Sequence, residues 1–94
     1  MSKRRSKLEI VLSVLSVIAD GRAKPTHIMY ATNMSWKSTQ KVLSKLVTLG
    51  LLEVEIKQGK RRPNKLYEIT EKGRNIIDYY AKAGDIIPIE KILS

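Results

Sequence analysis

Ninety-four residues are enough for one domain, and a chain of this size hides only about 60% of its unfolded surface. With 43% hydrophobic and 29% charged residues the chain is globular; it has no cysteine for disulfides or thiolate metal sites, and its single histidine, His27, cannot build a zinc site alone. Eighteen Lys and Arg against 9 Asp and Glu leave a net charge of +9, which points to an anionic partner, usually nucleic acid or an acidic membrane surface.

The basic start Met1-Ser2-Lys3-Arg4-Arg5 runs into apolar residues, as a secretion signal does, but Glu9, Ser13 and Ser16 interrupt them and Asp20-Gly21-Arg22 offers no small-x-small cleavage site. No apolar run approaches the ~20 residues that span a bilayer. The segment therefore reads as a helix of the mature domain, and a cytoplasmic, nucleoid-associated protein is expected. Ser6-Lys7-Leu8-Glu9 has the form of a capping box, so the first helix should run from Lys7 to Ala19 and stop at Asp20-Gly21. Leu8, Val11, Leu12, Leu15, Ile18 and Ala19 form one apolar stripe. Ile10, Val14 and Val17 form a second, leaving only a narrow polar strip, and a helix this apolar is covered on more than one side.

Pro25 suits the first turn of a second helix carrying Ile28, Met29 and Ala31, which should stop near Thr32-Asn33 because Asn tolerates the left-handed turn. Ser35 is placed to cap a third helix from Trp36 to about Leu49, with Gly50 as its stop. After Gly50 the period changes to alternation: Leu52, Val54 and Ile56 against Glu53, Glu55 and Lys57. A polar loop from Lys57 to Lys65 and a second strand from Leu66 to Thr70 complete a hairpin. Thr70 can cap a fourth helix from Glu71 to about Ala83, with Ile76, Ile77 and Tyr80 on one face and Gly73 there to permit close packing. Gly84-Asp85 should break it, leaving an apolar tail. The expected divisions are a basic arm at 1–6, a folded unit at 7–83 and the tail at 84–94.

Helix, helix, helix, strand, strand, helix is the order of a winged helix-turn-helix domain: α+β, mostly α, with three helices, a two-stranded wing hairpin and a C-terminal fourth helix. At about 100° per residue, Thr39, Val42, Leu43, Leu46 and Leu49 share one side of the third helix. Lys37, Gln40, Lys41, Ser44 and Thr48 lie opposite, with Lys45 at the edge. One side packs; the other offers donors and positive charge, as a recognition helix in a major groove requires. Lys37, Gln40 and Lys41 are the candidates for base edges, with Ser38 and Ser44 beside them. No acidic residue occurs from Gly21 to Leu52, where a merely soluble helix would intersperse Glu. Lys57, Lys60, Arg61, Arg62 and Lys65 put five cations in nine residues of the hairpin loop, where they can clamp the backbone or enter a minor groove. Lys45, Lys60, Arg61 and Arg62 are the phosphate candidates, and Lys3, Arg4 and Arg5 with Lys7 form a possible third contact. Trp36 stands at the boundary of the two faces, where packing is favoured over stacking on the sugar and phosphate. Tyr67, Tyr79 and Tyr80 read as packing residues and His27 as a surface or capping residue.

Lys7-Leu8-Glu9-Ile10, Ile28-Met29-Tyr30 with Asn33-Met34-Ser35, Leu49-Gly50-Leu51-Leu52 and Ile69-Thr70-Glu71-Lys72-Gly73 resemble small archaeal winged-helix DNA-binding proteins over about residues 5 to 83. The resemblance implies regulatory or abundant proteins that dimerise through a long C-terminal helix. This chain departs from that pattern at Gly84 and Pro88 and in its longer, more basic wing.

The expected function is double-stranded DNA binding as a transcriptional regulator or chromatin-associated protein. A homodimer is expected through Ile10, Val14, Val17, Ile76, Tyr79, Tyr80, Ile86, Ile87 and Ile89; a tail folded back over the first helix is the alternative cover. No carboxylate pair, nucleophile–base set or phosphate-cradling glycine loop is visible, so neither an enzyme, a cofactor, a metal nor a small-molecule effector is expected. The rival readings are an RNA-binding basic domain and a winged helix used to bind protein.

Overall fold

The computed structural model describes residues 6–21 and 23–86. Ser6 caps α1 (Lys7–Ala19): its Oγ accepts from the Glu9 N–H at 3.1 Å, and the Ser6 hydroxyl donates to the Glu9 carboxylate at 3.3 Å. Glu9 in the first turn also suits the positive end of the helix dipole. Pro25 opens α2 (Pro25–Thr32), which ends on Asn33 in the left-handed conformation, φ 55° and ψ 46°. The buried Thr32 meets its hydrogen-bonding need within its own helix, its hydroxyl donating to the Ile28 carbonyl at 2.7 Å.

Ser35 caps α3 (Trp36–Thr48), accepting from the Ser38 N–H at 3.1 Å. Thr39, on the packed side, donates to the Ser35 carbonyl at 2.8 Å, which lets a hydroxyl sit at 0% exposure. At the other end Gly50 takes φ 78°, and the Leu51 N–H reaches back to the Leu46 carbonyl at 2.9 Å. This is the glycine-terminated helix end expected from Leu49-Gly50.

The hairpin pairs β1 (Leu52–Lys57) with β2 (Asn64–Ile69) antiparallel, from Leu52 opposite Ile69 to Lys57 opposite Asn64. Ala23 adds a bridge to the free edge of β2, exchanging backbone hydrogen bonds with Tyr67 at 3.1 and 2.8 Å. Tyr67 is buried there, and desolvation pushes its phenol above the usual range. Thr70 caps α4 (Glu71–Ile86) through the Gly73 N–H at 3.1 Å.

The core gathers Val14, Leu15 and Ile18 of α1 with Ile28, Leu43, Leu46, Leu52, Tyr67 and Ile69. α1 lies in the middle of it, packed by α2, β2 and α4. This corrects the reading of the first helix. Within its second apolar stripe Val14 and Val17 need no outside cover, because three elements of the same chain pack around the helix. Val14 is fully buried, and Val17 and Ile76 pack against the core, so Val14 is removed from the dimer face. Leu8 and Leu49, expected to pack, are exposed.

Two boundaries also differ. β2 starts at Asn64, so Lys57 and Lys65 are ladder residues and the loop is 58–63. α4 continues past Gly84 and Asp85 to Ile86, because a helix-interior glycine costs only about 1 kcal/mol relative to alanine. Ile86 therefore belongs to the last turn of α4 rather than to a separate tail; Ile87 and Ile89 lie outside the described residues, as do Lys3, Arg4 and Arg5.

Candidate nucleic-acid interface

The buried line Thr39, Leu43 and Leu46 sets which way α3 faces. With that line packed, Lys37, Ser38, Lys41, Ser44 and Lys45 stand exposed. Gln40 is not in the middle of this ridge. It is partly buried on the helix edge, one turn beyond Trp36.

That edge forms one wall of a cleft of about 580 Å³. Trp36 and Gln40 come from α3, Lys24, Pro25 and Thr26 from the start of α2, and Arg62, Pro63, Asn64 and Lys65 from the end of the wing loop and the start of β2. Lys24 precedes α2 in an extended conformation, and with Pro25 and Thr26 it puts the start of that helix on the cleft wall. The cleft is what brings the two predicted clusters together: Gln40 of the helix with Arg62 and Lys65 of the hairpin. Lys60 and Arg61 stay exposed further out in the loop. The loop turns tightly enough that a Cβ on Gly59 would collide with the Arg62 carbonyl oxygen and lie 3.2 Å from the Asn64 amide nitrogen. Glycine there lets the chain fold back and carry Lys60, Arg61 and Arg62 at the tip.

The charges of the hairpin are sorted by face. Alternation puts Glu53 and Glu55 on the side opposite Leu52 and Val54, and Glu68, paired with Glu53, shares it. These three carboxylates flank a separate shallow depression with Leu66. Lys65, opposite Ile56, lies on the other side and lines the cationic cleft. Lys57 does not join it: the same alternation puts it on the side of Glu53 and Glu55, and it is not among the cleft walls.

Lys24, Thr26 and Asn64 were missed as site residues. Lys24 carried a signal, being a cation in the acid-free stretch immediately before Pro25. The approach of α2 to the wing had none, since it depends on the Ala23–Tyr67 bridge, which pairs residues 44 positions apart. Among the described residues no group of three or more His, Asp or Glu is placed to hold a metal, and no helix is long and apolar enough to cross a membrane.

A helix-turn-helix whose third helix stands beside a two-stranded hairpin defines a winged-helix protein. The winged helix-turn-helix family profile matches residues 4–87, and the chain belongs to that family. An uncharacterized protein of Methanocaldococcus jannaschii is 32% identical over 73 residues, 78% of this chain and 67% of that one. The crystal structure of Sso10a-2, a DNA-binding protein from Sulfolobus solfataricus, is similar with a TM-score of 0.69 at 28% identity, covering 95% of this chain and 85% of that chain. Both sources are archaeal, in line with the resemblance carried by Ile28-Met29-Tyr30 and its neighbours. Bacillus subtilis PadR, solved in complex with operator DNA, shares the fold with a TM-score of 0.70 at 16% identity, covering 77% of this chain and 46% of that chain.

Proposed function

We propose that this chain binds double-stranded DNA as a homodimeric transcription regulator or chromatin-associated protein. The exposed ridge of α3 enters a major groove, and the wing lies on the flanking backbone or minor groove. The observation that carries the reading is the shared cleft. The edge of α3 and the cations Arg62 and Lys65 line one groove with Lys24, while Glu53, Glu55 and Glu68 lie on the other side of the hairpin. A polyanion approaching from the cleft side meets Lys24 before α2 and Arg62 and Lys65 of the wing, with Gln40 of α3 as an uncharged donor beside them. The DNA-binding character of Sso10a-2 and the operator complex of PadR support the same reading. Lys37 and Lys41 serve base edges and phosphates from the ridge; Gln40, at the cleft edge, is nearer the backbone side of the groove. Lys3, Arg4 and Arg5 would add phosphate contacts from the flanking arm. Competition tests the reading: labelled duplex DNA should be displaced by unlabelled duplex DNA and poorly by double-stranded RNA of the same sequence, whose A-form major groove is too narrow for a helix. Equal displacement by RNA would transfer the function to the RNA-binding rival.

The dimer rests on α4. Tyr79 is 67% exposed and Tyr80 40%, and their rings meet edge to face with centroids 5.1 Å apart. On α1 the exposed Leu8 and the partly buried Ile10 are the residues assigned to the same interface, because Val14 is buried and Val17 packs against the core. Two copies joined there would address half-sites about one helical turn apart. Sedimentation at micromolar concentration should give twice 10.7 kDa, and Tyr79→Lys with Tyr80→Lys should return the monomer. A wild-type species of monomer mass alone would reject the dimer.

A further inference from the structure

Trp36 is the single tryptophan of the chain, and it is 50% exposed. Tryptophan is the side chain with most to gain from burial, so an indole left half in water in so small a domain calls for a reason. Its surroundings supply one. It stands in the first turn of α3, and the other walls of its cleft carry Lys24 and Thr26 on one side and Arg62 and Lys65 on the other. An aromatic face among cations in an open groove matches the chemistry of a sugar–phosphate strand. The cations and hydroxyl meet phosphate oxygens, the indole covers the apolar face of a deoxyribose, and the indole N–H is a further donor. Bases inside a duplex are already stacked, so the sugar is the apolar surface within reach. The cleft is open to solvent, unlike the enclosed pockets that bury most of a small ligand.

We propose that the cleft between α3 and the wing seats one sugar–phosphate strand of duplex DNA, with Trp36 packed on its deoxyribose as a contact that salt does not screen. This rests on the duplex-binding reading above, but it separates the interface into two parts. The lysines and arginines bind in proportion to counterions released, whereas an indole on a sugar releases none. Ionic and non-ionic binding should therefore be removable one at a time.

Titration of the full chain with duplex DNA, exciting the indole selectively, should quench and shift its emission in step with binding followed by anisotropy of labelled DNA. Trp36→Ala should weaken binding roughly 5- to 50-fold, as expected from the apolar area an indole buries on a sugar, at every salt concentration while leaving the slope of log K against log salt unchanged. Trp36→Phe, which keeps an aromatic face, should recover most of the loss, and Arg62→Ala should flatten the slope instead. Trp36→Ala binding as tightly as the wild type, or losing affinity through a flatter slope, would overturn the assignment. If that variant does not fold, the emission of the wild-type chain decides. Tight, salt-dependent binding with a silent tryptophan sinks the Trp36 seat and leaves the duplex reading standing; a wild-type chain that does not bind duplex DNA sinks both.

Discussion

Affinity for duplex DNA is expected to fall by roughly 10³–10⁵ between about 50 and about 200 mM salt, for a dimer making roughly 6–10 phosphate contacts. The cause is counterion release: each phosphate neutralised by a Lys or Arg frees a condensed cation, and added salt opposes that release. The chain has the cations to do this. Lys37, Lys41 and Lys45 stand exposed on α3, Lys60 and Arg61 on the wing, and Lys24, Arg62 and Lys65 line the cleft. Replacing Arg61 and Arg62 together with Ala removes two candidate contacts from each protomer, four from a dimer. At about 0.9 per phosphate, the slope of log K against log salt should become shallower by about 3 to 4. Binding should weaken for all sequences alike, because phosphates carry no sequence information directly. Anisotropy of a labelled duplex over a salt series measures both quantities. Affinity that ignores salt would favour the protein-interaction rival, since no counterions would then be released.

Gly73→Ala is expected to destabilise the fold by about 1–3 kcal/mol, lowering Tm by about 4–8 °C for each kcal/mol in a domain of this size. The usual expectation has the opposite sign, because alanine is the better helix residue by about 0.5–1 kcal/mol. Packing reverses it. A Cβ on Gly73 would collide with the Leu51 carbonyl oxygen and stand 2.7 Å from Cγ1 of Ile69. One neighbour is backbone and the other is a buried strand residue, so neither yields cheaply. The joint around them is also held from several sides. The Thr70 hydroxyl donates to the Gly50 carbonyl at 2.7 Å while its oxygen accepts from the Gly73 N–H, and the Lys72 ammonium donates to the Leu49 carbonyl at 3.1 Å. The end of α3, the end of β2 and the start of α4 are thus one unit. Relief of the collision by tilting α4 would also displace the Tyr79 and Tyr80 surface. Thermal unfolding followed by circular dichroism checks this, and a variant as stable as the wild type would mean the joint has slack.

Much of this architecture was legible in the amino-acid order, at positions where the physics is local. Ser6, Ser35 and Thr70 cap helices because a side-chain oxygen reaches a backbone N–H three residues on. Asn33 and Gly50 stop helices because they tolerate positive φ. The cationic ridge of α3 followed from placing Lys37, Lys41 and Ser44 opposite Leu43 and Leu46 on a wheel. Where the reading failed, the deciding neighbour was remote. Val14 looked available for a partner because nothing in residues 7–19 says that α2, β2 and α4 surround that helix. Lys57 and Lys65 looked alike as loop cations until the pairing of Ile56 with Lys65 put them on opposite sides of the hairpin. Gly84 looked like a stop because its propensity is poor, but one glycine is a modest penalty against a helix already running from Glu71.

The order of residues was enough to determine the succession of helices and strands, their caps and the excess of positive charge, since each depends on contacts within a few positions or on composition. Which charges share a groove, and that Trp36 opens onto it, was decided only by the assembled chain. The Ala23–Tyr67 bridge brings the start of α2 to the wing, and packing of Thr39, Leu43 and Leu46 turns the edge of α3 toward both.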